Sequence, residues 1–239
     1  MLTVLALHYW AGSGREYEAV RALLPATVRL LAPDLPGFGK QPVPPGFDFS
    51  VAHYADWLAG FIADNKMAEF TLLGHSMGGK IALALAARRP AGLRQLVLLA
   101  PSPPTPEPIT DAARSAALAA FGQAAEAEKT FRNITEKPLA EALHRLVVAD
   151  NLCCTRPAWE AWLERGSRED ISALMATLAV PCSVLVGAND RAITSETQQQ
   201  QTLPWLPATT RLRVEPATGH LLPLEVPALV AALALQSFK

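Results

Sequence analysis

A serine flanked by glycines at a fixed spacing, Gly74-His75-Ser76-Met77-Gly78, separates the apolar run 69–73 from the helix-like stretch 79–87. Placed between a strand and a helix, G-x-S-x-G makes a strained turn that lifts the serine hydroxyl clear of the sheet. A serine hydroxyl is a weak nucleophile near neutral pH, so Ser76 can attack a carbonyl only if a base takes its proton and an acid orients that base. The chain order that goes with this strand–turn–helix arrangement is serine, acid, histidine. Beyond Ser76 the sequence holds two histidines, His144 and His220. His144 lies in the helical pattern Ala142-Leu143-His144-Arg145-Leu146, where a packed or surface role is expected. His220 follows the strand-like Leu212-Arg213-Val214 through the turn 215–219, which puts it at a strand's carboxyl end, where sites of open α/β sheets form. His220 is the candidate base.

The candidate acid is Asp190, which ends Leu185-Val186-Gly187-Ala188-Asn189-Asp190 just past another strand and between Ser76 and His220 in order. It also precedes a helical pattern, so helix capping is its alternative role. Asp111, Asp150 and Asp170 fall in an Ala-rich stretch, where carboxylates are expected to cap helices or face solvent. A developing oxyanion needs two backbone N–H donors, one from the residue after the nucleophile and one from the loop after an earlier strand. Met77 is the first candidate. In His8-Tyr9-Trp10-Ala11-Gly12 the second is Trp10, with Tyr9 as its neighbouring alternative, and His8 is expected to brace the loop.

These residues need a scaffold that delivers strand ends to one edge. Short Val-, Ile- and Leu-rich runs recur at 2–7, 28–32, 70–73, 93–99, 183–186 and 211–214, and their near-continuous apolar character fits strands covered on both faces. Helical patterns fall between them at 16–24, 51–65, 80–89, 195–203 and 227–237. The alternation predicts a doubly wound, mostly parallel α/β sheet. Between Pro101 and Ala179 it stops, and a proline-dense entry, Pro101 to Pro108, leads into a helical stretch. The expected organisation is a core of residues 1–100 and 180–239 with a helical lid, 101–179, inserted. Phe121, Trp159 and Trp162 in the lid and Tyr9 in the core are candidate pocket residues, while most other apolar lid positions are expected to be core contacts.

With 239 residues, 50% of them hydrophobic, one α/β domain accounts for the chain. A formal net charge of −1 without charge runs argues against a nucleic-acid partner. Three cysteines, two adjacent at 153 and 154, form no even disulfide framework and no metal-ligand spacing, which fits a reduced, cytoplasmic setting without metal or other cofactor. The apolar start lacks a basic segment before it and a cleavage site after it, and no apolar run reaches membrane-spanning length, so no membrane association is expected. A monomer or dimer acting on a small molecule is the expectation.

With Ser76, Asp190 and His220 in this order, the sequence resembles the α/β-hydrolase fold family over essentially its whole length. The motifs that carry the resemblance are Asp34-Leu35-Pro36-Gly37-Phe38-Gly39, similar to the family's D-x-x-G-x-G loop, the elbow GHSMGG at 74–79, and GAND and TGH around the acid and base. The resemblance implies a cap over the site and a Ser-His-Asp mechanism without cofactor. Two features depart from it. Tyr9 stands where the family usually has the glycine of a His-Gly pair, and the antiparallel hairpin that many members place first is missing, which predicts a sheet about two strands short of eight. Serine at the elbow disfavours haloalkane and epoxide chemistry, for which the family uses aspartate. Hydrolysis of a carboxylic ester is the expected activity. The alternatives are C–C bond or enol-lactone hydrolysis, a lyase of the menaquinone-pathway type on the same triad, and a non-enzymatic ligand-binding protein.

Overall fold

Parallel strands covered on both faces must alternate their apolar side chains between two layers, and the inner strands of this chain do so. The structure, a computed structural model, describes residues 2–236. Six strands, β1 (Leu2–Leu7), β2 (Val28–Leu31), β3 (Phe70–His75), β4 (Leu93–Leu99), β5 (Cys182–Gly187) and β6 (Arg211–Glu215), form one open sheet in the order β2-β1-β3-β4-β5-β6. All five pairings are parallel, with Leu5 opposite Leu31 on one side and Leu72 on the other. Six strands agree with the expected shortening, and β1 lies one strand in from the β2 edge.

Leu5, Leu7, Phe70, Leu72, Leu96, Leu98 and Val184 point to one face, where α2 (Val51–Asp64) and α3 (Met77–Ala87) cover them. Val4, Ala6, Leu73, Val97, Leu99 and Leu185 point to the other, against α1 (Glu18–Leu23) and the helix Pro227–Ala234. Each such leucine, valine or phenylalanine, fully buried, contributes about 1.5–3 kcal/mol of transfer free energy. Helix α3 is buried at all 11 of its positions because its other side meets α2 and the turn Ser172–Thr177. Its composition is accordingly Ala- and Leu-rich, without an amphipathic stripe.

Four helices fill the stretch between β4 and β5: α4 (Asp111–Ala119), α5 (Ala124–Ile134), α6 (Glu141–Leu152) and α7 (Arg156–Glu164). Thr110 caps α4 by accepting from the Ala113 N–H at 3.2 Å, and Pro157 sits in the first turn of α7, where its missing N–H costs nothing. Beyond β5 come α8 (Ser195–Thr197), α9 (Leu222–Glu225) and α10 (Pro227–Ala234).

Three helix expectations needed correction. The pattern at 16–24 opens as a tight turn, Gly14–Tyr17, before α1, because Ser13 Oγ accepts from Arg15 N–H at 3.3 Å and starts the turn early. The pattern at 195–203 breaks up: α8 widens into a π-type turn over Gln198–Thr202, where the Gln198 amide donates to Pro101 O at 2.8 Å, and the chain then tightens into a 3-10 turn over Leu203–Trp205 with Pro204 in its first turn. Helix α10 stops at Ala234, and Ser237, the expected end, lies outside the described residues. Among the described residues no helix is long and apolar enough to cross a membrane.

Candidate active site

All strands being parallel, their carboxyl ends share one edge, and that edge receives the loops after β1, β3, β5 and β6. Ser76, in the turn from β3 into α3, has φ 54° and ψ −117°, a strained backbone for a residue with a side chain. The turn is fixed by Ser76 N–H donating to Leu99 O at 3.0 Å and by Ser76 O accepting from Ser102 N at 2.9 Å and Gly79 N at 2.8 Å. Gly78 must lack a side chain, since a Cβ there would lie 2.6 Å from the carbonyl oxygens of Leu7 and His8. This close approach brings the elbow against the loop after β1.

Asp190 and His220 meet: His220 Nδ1–H donates to Asp190 Oδ2 at 2.7 Å, and both residues are buried. The other oxygen, Oδ1, accepts from the N–H groups of Ala192 (2.8 Å) and Ile193 (2.9 Å), so Asp190 orients the ring and caps the following turn at once. Burial would raise the Asp190 carboxyl, but the His220 ring and these donors hold it below the usual carboxylate range. Burial pushes His220 down, and the charge and hydrogen bond of Asp190 outweigh it, so the imidazole lies above its ordinary value. With Nδ1 donating, Nε2 is free to accept a proton. Ser76 and His220 line the same cavity, of about 270 Å³, and no hydrogen bond joins them among the described residues.

Behind His220 sits a second buried pair that the sequence did not suggest. His75, inside the elbow, has its Nε2 2.9 Å from the backbone oxygen of His220 and its Nδ1 2.9 Å from Glu16 Oε2. A carbonyl only accepts, so Nε2 carries hydrogen. Burial lowers His75 well below its ordinary value and lifts Glu16 to about 8, so near neutral pH the proton between them belongs to Glu16, which donates to a neutral ring. His220 is thereby held through its backbone as well as its ring.

The loop after β1 is braced by His8, whose Nδ1–H donates to Tyr9 O at 2.7 Å while Nε2 accepts from Leu35 N at 2.9 Å. The N–H groups of Trp10 and Met77 donate to nothing among the described residues, and Trp10 lines the cavity. The Met77 side chain turns into the core. Tyr9 also lines the cavity, with its ring folded over Gly12, where a Cβ would come within 2.4 Å of the ring. A glycine at 12 thus compensates for the tyrosine at 9.

Of the candidate pocket residues in the helical stretch, Trp162 lines the cavity, whereas Phe121 and Trp159 do not. Trp159 is spent on packing: its Nε1 donates to Ala117 O at 3.0 Å, its ring lies 4.1 Å from Trp10, and Phe121 meets it edge-on at 5.7 Å. Phe131, Ile134 and Val147 line the cavity instead. Asp150 also departs from the expected cap or solvated role. It is buried and takes hydrogen bonds from Ser13 Oγ (2.6 Å) and the Arg15 guanidinium, tying α6 to the loop after β1. His144 stays among helices α5 and α6, bonded to Glu128 at 2.8 Å and stacked on Phe131. Cys153, Cys154 and Cys182 are free, and among the described residues no cluster could hold a metal.

An open parallel sheet with a strained serine at its carboxyl edge and an Asp–His pair beside it defines a hydrolase-type architecture. Residues 4–233 match the model of the alpha/beta hydrolase family, and the chain belongs to that family. It is 31% identical over 197 residues, 78% of this chain and 74% of its relative, to the pimeloyl-(acyl-carrier protein) methyl ester esterase of Neisseria meningitidis serogroup B. The enzyme of the same name from Aeromonas salmonicida matches at 38% identity over 100 residues, 42% of this chain and 38% of that protein. Among solved structures, an esterase from Exiguobacterium antarcticum superposes with a TM-score of 0.88 at 20% identity, covering 100% of this chain and 92% of that one. These likenesses support an enzyme acting on esters.

Proposed function

We propose that the protein is a serine carboxylesterase in which Ser76 is the nucleophile, His220 the base and Asp190 the acid that orients it. The observation that carries this reading is the Asp190–His220 hydrogen bond of 2.7 Å, set on the wall of the cavity that Ser76 enters from a strained turn. His220 Nε2 takes the Ser76 proton as Oγ adds to the ester carbonyl, and the unengaged N–H groups of Trp10 and Met77 receive the oxyanion. The imidazolium then returns the proton to the departing alcohol, leaving an acyl-Ser76 ester. Water, deprotonated by His220, hydrolyses it to the acid. Helices α4–α7 act as a cap that closes the cavity over the substrate. The apolar lining and small volume suit an acyl chain of short to medium length, in keeping with ester-cleaving relatives. The three free thiols fit a reducing, cytoplasmic compartment.

Labelling with a fluorophosphonate probe and turnover of p-nitrophenyl esters of increasing acyl length test the reading. Ser76→Ala is expected to abolish labelling and to lower turnover by about 10⁴-fold or more with folding intact. Near-normal turnover by that variant would remove Ser76 from the mechanism.

A further inference from the structure

The cavity carries one acidic side chain that the proposed hydrolysis does not use. Glu107, on the connection from β4 to α4, lines the same cavity as Ser76 and His220. Its backbone is rigid: it lies between Pro106 and Pro108, its N–H donates to Ser167 O at 2.7 Å, and its carbonyl accepts from Ile109 N at 2.8 Å. Among the described residues no lysine or arginine lines the cavity. The cations nearest Glu107 are committed elsewhere. Lys80 Nζ donates to the carbonyls of Thr105 (3.1 Å) and Glu169, and Arg114 donates to Ser167 Oγ at 2.9 Å. Among the described residues no cation forms an ion pair with the Glu107 carboxylate. Burial raises its pKa, with Ser102, Lys80, His220 and Arg114 pulling the other way.

Glu107 is partly buried and no cation among the described residues contacts its carboxylate directly, so it gains from a ligand that brings a positive group into the cavity and repels a second carboxylate there. We propose that Glu107 sets the charge selectivity of this cavity, favouring esters with a cationic, amine-bearing chain and rejecting those with a free carboxylate. This rests on the esterase reading above and narrows its substrate class. It also gives the anionic acid product a weaker hold than the ester it came from.

The test uses three methyl esters of matched length: methyl 6-aminohexanoate, methyl hexanoate and monomethyl adipate. Their binding to the intact Ser76→Ala protein is measured by calorimetry, which needs no turnover. The amine is expected to bind at least about tenfold tighter than the adipate half-ester, with the neutral ester between. Adding Glu107→Gln should bring the amine-to-carboxylate ratio within about threefold while the neutral ester changes least. Equal affinities in the Ser76→Ala protein, a preference for the carboxylate, or a ratio unmoved by Glu107→Gln would each overturn the proposal. The first arm decides even if the second substitution fails to fold. Should none of the three bind, the proposal falls. Fluorophosphonate labelling of wild-type Ser76 then tells whether the esterase reading falls with it.

Discussion

Replacing Glu16 by glutamine should make the protein more stable at neutral and alkaline pH, although it alters a fully buried residue behind the active site. Glu16 Oε2 faces His75 Nδ1 at 2.9 Å, and because His75 Nε2 donates to His220 O, a neutral ring leaves Nδ1 as an acceptor. A glutamine amide donates at that place as a protonated carboxyl does. In the unfolded chain Glu16 ionises near 4.5, whereas burial lifts it in the folded chain to about 8. Between those values the native state binds a proton that the unfolded state has released. Stability is therefore full below about 4.5 and falls as pH rises to about 8. At about 1.4 kcal/mol per pH unit, the window of roughly three to four units makes the cost of keeping Glu16 neutral at most on the order of 4–5 kcal/mol. The amide of the Glu16→Gln variant does not titrate and escapes that cost. Urea unfolding followed by circular dichroism at pH 5, 6, 7 and 8 should give a stability gap that favours the variant and widens with pH. If the pair were instead an imidazolium–carboxylate ion pair, removing one charge would strand the other, and Glu16→Gln would lose about 3–5 kcal/mol at pH 7. That loss would refute the protonation state argued for Glu16 and His75.

The acidic limb of kcat/KM should lie above 6.5, since Asp190 raises His220, with activity lost as pH falls through it. In Asp190→Asn the surviving activity, about 10⁴-fold lower as in other triads, should have its limb below 6.5 because burial then dominates; an unmoved limb would assign it to another group. Gly12→Ala drives a methyl into the Tyr9 ring and should lower kcat/KM, and Tyr9→Gly in the same chain should restore it, whereas no rescue would mean that Gly12 serves the backbone alone. Asp150→Ala strands the buried Ser13 hydroxyl and should cost about 1–3 kcal/mol in denaturant unfolding, less than additively with Ser13→Ala; full additivity would mean that the two do not share the bond.

The sheet was legible because its inner strands β1, β3 and β5 are covered on both faces and read as near-continuous apolar runs, which turn residues delimit to within one or two positions, while the edge strand β6 alternates charged and apolar residues. Ser76, Asp190 and His220 stood out because parallel strands deliver their carboxyl ends to one edge, so position along the chain translated directly into position in space. What stayed hidden depends on long-range packing. Phe121 and Trp159 have the same type and helical spacing as Trp162, and only the approach of Trp10 decides that Trp159 is buried against it while Trp162 reaches the cavity. Asp150 reads as a helix cap or solvated carboxylate and Glu16 carries no signal of its own, because their partners, Ser13 at 137 positions and His75 at 59, lie far along the chain. The π-type turn at 198–202 came from the Gln198 amide reaching Pro101, a contact without local signature.

His220 is held from three directions by three different parts of the chain, which bears on how the helices α4–α7 relate to the chemistry. Asp190 fixes its ring, His75 its carbonyl, and its own N–H donates to Ile134 O at 2.8 Å, at the end of α5. The same α5 end is clamped a second time, because Glu225 Oε2 accepts from the N–H groups of Glu136 (3.2 Å), Lys137 (2.9 Å) and Gly219 (2.9 Å), the last being the neighbour of His220. Asp150 ties α6 to Ser13, three residues beyond the proposed oxyanion donor Trp10. A displacement of α5 and α6 as a body would therefore pull on His220 and on the loop after β1 together. Such a displacement would break the hydrogen bonds that hold His220 and the loop after β1, whereas Ala113, Ala117, Ala127 and Thr130 of α4 and α5 present small side chains to the cavity and take no part in those bonds.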